Sequence, residues 1–234
     1  MTKVSDRLNR LAESATLAMA RMSRELQAKG IDVIALSLGE PDFDTPEFIK
    51  EAGKKAIDDN FSHYTPVPGL PELRSAIVQK FKRDNELEFT PDQIVTSTGA
   101  KQSLANVCLS LLNPGDEVLL PCPYWVSYTE LVKLAEGVPV EVPSTIDSDF
   151  KVTPEQLEAA ITPKTKLLMF SSPCNPSGTV YTQSELEAIA KMLEKYPNIY
   201  IVADEIYEHI NFTKKHFSIG TIPSMANRTI TVNG

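Results

Sequence analysis

The chain has 234 residues, 42% hydrophobic and 23% charged, a globular composition with apolar mass for one large domain or two small ones. Its formal net charge of −8, with no basic stripe, argues against a nucleic-acid binder and against an anionic membrane surface. No apolar run approaches the roughly 18 residues of a membrane helix, the polar N-terminus has no apolar signal core, and Cys108, Cys122 and Cys174 lack metal-like spacing, so the expectation is a reduced cytoplasmic protein with no metal site.

Residues 14 to 29 predict a helix, with Leu17, Ala20, Met22 and Leu26 at near-helical spacing and Gly30 placed to end it. A short apolar strand is expected over Ile31 to Leu38. Thr45-Pro46-Glu47 then opens a helix to about Asp59, with a capping residue, proline at the first position and an early acid. Phe61 to Gly69 is a Pro/Gly loop, and Leu70 to Asn85 is an amphipathic helix with Leu73, Ile77 and Phe81 on one face.

From Ile94 the texture alternates. Expected strands are 94–98, 117–121, 138–143, 166–173, 199–204 and 228–234. Expected helices between them are 99–112, about 125–135, 154–161 and 184–196. Short β-rich runs alternating with helices predict βαβ units, hence an α/β fold with a mostly parallel sheet and helices on both faces. Ligands of such sheets bind at the carboxyl ends of the strands.

Several residues fall there. Ser97 to Gln102 joins a strand to a helix, and its small residues with the unpaired N–H groups of a helix start suit an anion such as phosphate, though a plain βα turn reads the same. Asp204 ends a strand, where its carboxylate could pair with a protonated ring nitrogen or simply cap a helix. Asn175, in the loop Ser172-Pro173-Cys174-Asn175-Pro176-Ser177-Gly178, and Tyr207 could both donate to a phenolic oxygen; turn chemistry is the plainer alternative. Trp125, the single tryptophan, could stack on a heteroaromatic ring or sit in a core, and Tyr64 could reach a phosphate or lie on the surface. Together an anion loop, a stacking aromatic, an amide and a phenol for one oxygen, and a carboxylate for a ring nitrogen match what pyridoxal 5′-phosphate requires. The carboxylate keeps the ring protonated, so that it can stabilise a carbanion.

The chain also resembles a family. Leu38-Gly39-Glu40-Pro41-Asp42-Phe43-Asp44-Thr45-Pro46, Tyr64-Thr65-Pro66 with Gly69-Leu70-Pro71-Glu72-Leu73-Arg74, Pro114-Gly115-Asp116-Glu117-Val118 with Pro123-Tyr124-Trp125-Val126-Ser127-Tyr128, the Ser172–Gly178 loop and Asp204-Glu205-Ile206-Tyr207-Glu208 are similar, in order and spacing, to the blocks of class I pyridoxal-phosphate aminotransferases, in the bacterial aspartate aminotransferase branch. The resemblance implies the type I fold of pyridoxal-phosphate transferases, with residues 1–45 as N-terminal arm and start of a small domain and 46–234 as an incomplete large cofactor-binding domain. It implies that Gly99, Ala100 and Lys101 lie on the cofactor phosphate and that Trp125 stacks on its ring. Asn175 and Tyr207 would bond its phenolic oxygen, and Asp204 its nitrogen. Gly39, Trp125 and Asn175 would contact substrate, and Tyr64 would reach the partner subunit's cofactor in a homodimer.

Departures are few. Cys174 replaces the usual asparagine and Ser177 the usual threonine. Ala12-Glu13 stands where some members that accept prephenate carry lysine and proline, which argues against that substrate. The resemblance places the Schiff-base lysine and the arginine for the substrate carboxylate beyond Gly234, along with a returning strand and the rest of the small domain. No catalytic residue is therefore expected within these residues, and the 234-residue chain alone is expected to be inactive. For the longer protein the implied reaction is ping-pong transfer between aspartate and 2-oxoglutarate. The rivals are an aromatic, alanine or aminocyclopropane-carboxylate-type enzyme of the same fold, or a non-catalytic remnant.

Overall fold

The computed structural model describes residues 4–36, 38–212 and 215–234. By internal packing it divides into two units, Met1–Ala12 with Glu72–Gly234, and Glu13–Pro71. That division concerns packing within these residues, whereas the boundary expected at 45/46 concerns the domains of a longer enzyme. Among the described residues no helix is long and apolar enough to cross a membrane.

A one-turn helix, α1 (Asp6–Asn9), opens the larger unit, and α2 (Ala15–Ala28) and α3 (Glu47–Asp58) are helices of the smaller one. Ser14 caps α2, its hydroxyl accepting the Leu17 N–H at 3.5 Å, and Gly30 at φ +78° turns the chain out of it. α3 starts one residue later than expected: Pro46 is its N-cap, so Thr45 does not cap it. The described residues of Ile31–Leu38 do not form the expected strand. Ser37 lies outside the described residues, and of the others Ile34 and Leu36 are 84% and 91% exposed, with no neighbouring strand to bond.

The larger unit continues through α4 (Pro71–Asn85), α5 (Ala100–Leu111), β1 (Glu117–Pro121), α6 (Ser127–Leu134), β2 (Val138–Val142), α7 (Pro154–Ala160), β3 (Thr165–Ser171), α8 (Gln183–Leu193), β4 (Tyr200–Asp204), α9 (Pro223–Ala226) and β5 (Thr229–Val232). The sheet runs in the order β2-β1-β3-β4-β5, and every pair is parallel. Side chains alternate along each strand. Val118, Leu120, Leu167, Met169 and Val202 pack against Leu104 and Cys108 of α5 and Tyr128 and Val132 of α6. Leu119, Leu168, Phe170, Ile201 and Ala203 pack on the other face against Leu157 of α7, Leu186, Ile189 and Leu193 of α8, and Met225 of α9. Covering on both faces is why a strand such as Leu167-Leu168-Met169-Phe170 carries apolar side chains without alternation.

One expected strand of this unit is missing. Residues 94–98 form no strand. Between them and β5 lies a groove of about 970 Å³, lined by Ile94, Val95, Thr96 and Ser97 on one side and Ile230, Thr231, Val232 and Asn233 on the other, with Phe81 and Val107 among its walls. Among the described residues β5 pairs only with β4. Backbone at strand geometry becomes sheet only with a bonded neighbour, and the groove keeps these two segments apart.

Candidate active site

The order β2-β1-β3 means that the chain leaves β1 on one side and returns on the other. β1 and β3 therefore flank a switch point, where the loops after the strands diverge and open a crevice. Trp125 lies in the loop after β1 and Asn175 in the loop after β3. The Cys174 thiol donates to the Pro123 carbonyl at 3.3 Å, tying the two loops together. One strand further on, Asp204 ends β4 in register with Ser171, the last residue of β3.

The centre of the arrangement is Asp204, only 3% exposed. Its Oδ2 accepts the Tyr128 hydroxyl at 2.7 Å and its Oδ1 the Ile206 N–H at 3.3 Å. Burial pushes its carboxyl above the ordinary range, the Tyr128 hydroxyl and the Ile206 N–H pull it back down, and the charge of Glu205 adds to the upward push. A buried carboxylate in that state is stabilised by a cation brought to the crevice. The helix-cap reading of Asp204 fails, because the residues after it form a turn rather than a helix.

Tyr128 joins Asp204 to the rest. It is fully buried, and Trp125 meets its ring edge-on, with centroids 5.8 Å apart and planes at 86°. The Lys101 ammonium lies over the Trp125 ring, 4.8 Å from its centroid. Lys101 sits in the first turn of α5, whose N-cap, Gly99, has φ +82° and supplies no side-chain cap. A Cβ at Gly99 would meet nothing within 4 Å. No side chain caps the opening N–H groups of α5, which lie at the positive end of a helix, as an anion site requires. α6 begins at Ser127, later than the expected start near Trp125, and this leaves the indole in the preceding turn. Across the crevice loops the Asn175 amide donates to the Tyr207 hydroxyl at 3.2 Å.

Gly99, Lys101, Trp125 and Asp204 are therefore linked through α5, an indole and Tyr128, and Asn175 is paired with Tyr207. The linkage is by contact rather than by the large groove, which Gly99 lines but Ala100, Lys101, Trp125, Asn175, Asp204 and Tyr207 do not. Gly39 and Tyr64 are exposed residues of the smaller unit. The sequence reading missed Tyr128 as a site residue. The available signal was its position three residues after Trp125, across the turn that leads into α6.

A parallel α/β sheet with a buried acid, an indole and an uncapped glycine-led helix at its switch point has the donor set of a phosphorylated-pyridine enzyme: anion site, stacking ring and carboxylate. The family follows from comparison. The description "Aminotransferase class I and II" fits residues 31–234, and the chain belongs to that family, whose members depend on pyridoxal 5′-phosphate. It is 50% identical over 236 residues to the aspartate/prephenate aminotransferase of Cereibacter sphaeroides, covering 100% of this chain and 59% of the relative. Aspartate aminotransferase from Thermus thermophilus with maleate superposes with a TM-score of 0.95 at 44% identity, covering 100% of this chain and 60% of that one. The Rhizobium meliloti aspartate aminotransferase gives 0.96 at 39%, over 100% and 59%. The type I fold is thus shown, and the chain spans about three fifths of the length of the relatives it matches.

Proposed function

We propose that these residues are the cofactor-binding part of an aminotransferase that moves an amino group between L-aspartate and 2-oxoglutarate by a ping-pong mechanism. The observation that carries this reading is the buried Asp204 carboxylate, fixed by Tyr128 and connected through Trp125 to the open N-terminus of α5. When bound, pyridoxal 5′-phosphate supplies an electron sink for negative charge at the substrate Cα.

The residues divide that work. Gly99 and Ala100 offer backbone N–H groups to the phosphate, and Lys101 adds a positive charge. Trp125 gives the ring a flat apolar face. Asn175 and Tyr207, already within hydrogen-bond distance of one another, donate to its phenolic oxygen. Asp204 holds a proton on the ring nitrogen. Gly39, Trp125 and Asn175 bind substrate, and Tyr64 reaches the phosphate of the partner's cofactor, which makes the enzyme a homodimer with shared sites. Residues 1–45 belong to the arm and small domain and 46–234 to the large domain. The proton at Cα is moved by a lysine outside these residues, so a polypeptide of the 234 residues alone is expected to show no turnover. An acidic chain without a membrane-crossing helix among its described residues fits a cytoplasmic enzyme.

Steady-state assay of the full-length protein with aspartate, alanine and phenylalanine as donors tests the substrate. A preference for aspartate is expected, and a strong preference for alanine or phenylalanine would sink this assignment in favour of its sister enzymes. Prephenate belongs among the acceptors assayed, because the Cereibacter relative bears its name although Ala12-Glu13 argues against it here.

A further inference from the structure

The Tyr128 hydroxyl is fully buried and has one proton to give. It gives that proton to Asp204 Oδ2 at 2.7 Å. Its ring is held from two sides, by Tyr124 stacked at 6.3 Å and 10° and by Trp125 edge-on at 5.8 Å and 86°. The ring cannot turn without disturbing the indole. Three elements meet at this side chain: the loop after β1, the first turn of α6 and the end of β4.

We propose that Tyr128 is a positioning residue for the amino-transfer reaction, a permanently protonated donor that orients the Asp204 carboxylate and limits how tightly that carboxylate can hold a proton of its own. The inference rests on the cofactor reading above.

The physical reasoning is a competition for one proton. Ring nitrogen and carboxylate share it, and the electron sink works when the nitrogen keeps it. Burial makes Asp204 a better proton holder, and the nearby Glu205 charge works in the same direction. A hydrogen bond donated to the ionised form works against both. Tyr128 supplies the shortest such bond recorded for Asp204, and the Ile206 N–H supplies a longer one at 3.3 Å. Tyr128 never becomes a rival anion at neutral pH, since burial first and the Asp204 charge second push its phenol well above the usual range. The other groups near it are the Ser171 hydroxyl and the Cys174 thiol, which carry no fixed charge.

Tyr128→Phe keeps the ring, and with it the contacts to Trp125 and Tyr124, and removes only the donor. In the cofactor-loaded full-length protein the readout is the pH midpoint of the cofactor's visible absorption band. A ring nitrogen that holds its proton less well withdraws fewer electrons from the rest of the π system, so the midpoint is expected to rise by about half a unit or more. The kcat is expected to fall on the order of 10-fold, as for loss of a hydrogen bond to a charged group, with the KM for aspartate changed less. Tyr124→Phe is the control, because that hydroxyl bonds Thr129 and Glu141 and never touches Asp204; its midpoint is expected to stay at the parental value. A Tyr128→Phe enzyme with parental midpoint and kcat overturns the proposal. So does one with lowered thermal stability and reduced activity but an unmoved midpoint, which would mark a packing role only. If the parent protein itself shows no visible band with added pyridoxal 5′-phosphate, the cofactor reading fails first, and this inference falls with it.

Discussion

Gly99 shows at the smallest scale how backbone geometry can serve a site. Its φ of +82° is strained for any residue with a Cβ, yet the space a Cβ would occupy is open for 4 Å around. Gly99→Ala should therefore cost about 1–3 kcal/mol of stability through the backbone alone, since φ +82° with ψ 161° is a region essentially reserved for glycine. It should also weaken cofactor binding if the turn relaxes away from its anion-binding shape. Urea midpoints of the two full-length proteins check the first expectation and a pyridoxal 5′-phosphate titration the second; equal midpoints would show that the turn is unstrained. Residue identity made Gly99, Trp125, Asn175, Asp204 and Tyr207 legible as candidates, because each side chain advertises a chemistry. Tyr128 offered only its position, three residues after Trp125. A tyrosine on an apolar helix face reads as core, and core it is, except that its one polar atom ends on the one carboxylate that matters.

Elements are held together by a few polar ties as well as by the two apolar layers. Lys80 of α4 bonds the Glu208 carboxylate in the turn after β4, and Asn85 bonds its other oxygen, while His209 lies 3.1 Å from the first. Burial alone would raise the Glu208 carboxyl, but Lys80 and Asn85 outweigh it and hold the group below its ordinary range. A depressed carboxyl stabilises the fold above its unfolded value and stops doing so as pH falls through the folded one. Lys80→Met should thus cost about 1–3 kcal/mol near neutrality, since the buried carboxylate loses its lysine while Asn85 and His209 stay beside it. The difference should shrink as pH falls through the depressed folded value of Glu208 and the carboxylate takes up its proton. Denaturant midpoints at neutral and acid pH measure this, and a pH-independent difference would contradict it. The start of α8, where Thr182 and Glu185 form a reciprocal capping box, falls within one residue of the expected Ser184. Segments 31–38 and 94–98 were misread because alternation and β-branching describe a strand's side chains, whereas the strand itself exists only in its partner's hydrogen bonds.

At the scale of the whole molecule the groove between 94–97 and β5 is the feature that a longer chain would change most. About two fifths of the relatives' length lies outside the stretch matched here. A strand from such an additional segment, laid in this groove, would bond Ile230–Val232 on one side and 94–97 on the other. Amide exchange at Ile230, Thr231 and Val232 should then be markedly slower in the full-length protein than in a polypeptide of residues 1–234. Equal exchange rates would show that nothing pairs with this edge. The amino-acid sequence by itself determined the α/β class, most helix positions and the chemical kinds gathered at the site, because these depend on periodicity, capping and functional groups carried by single residues or near neighbours. Only the tertiary structure decided the strand order that makes the crevice, the burial that raises the Asp204 carboxyl, and the choice of Tyr128 as its partner. Those are distances between residues far apart along the chain, such as the 2.7 Å from Tyr128 to Asp204, and no local pattern encodes them.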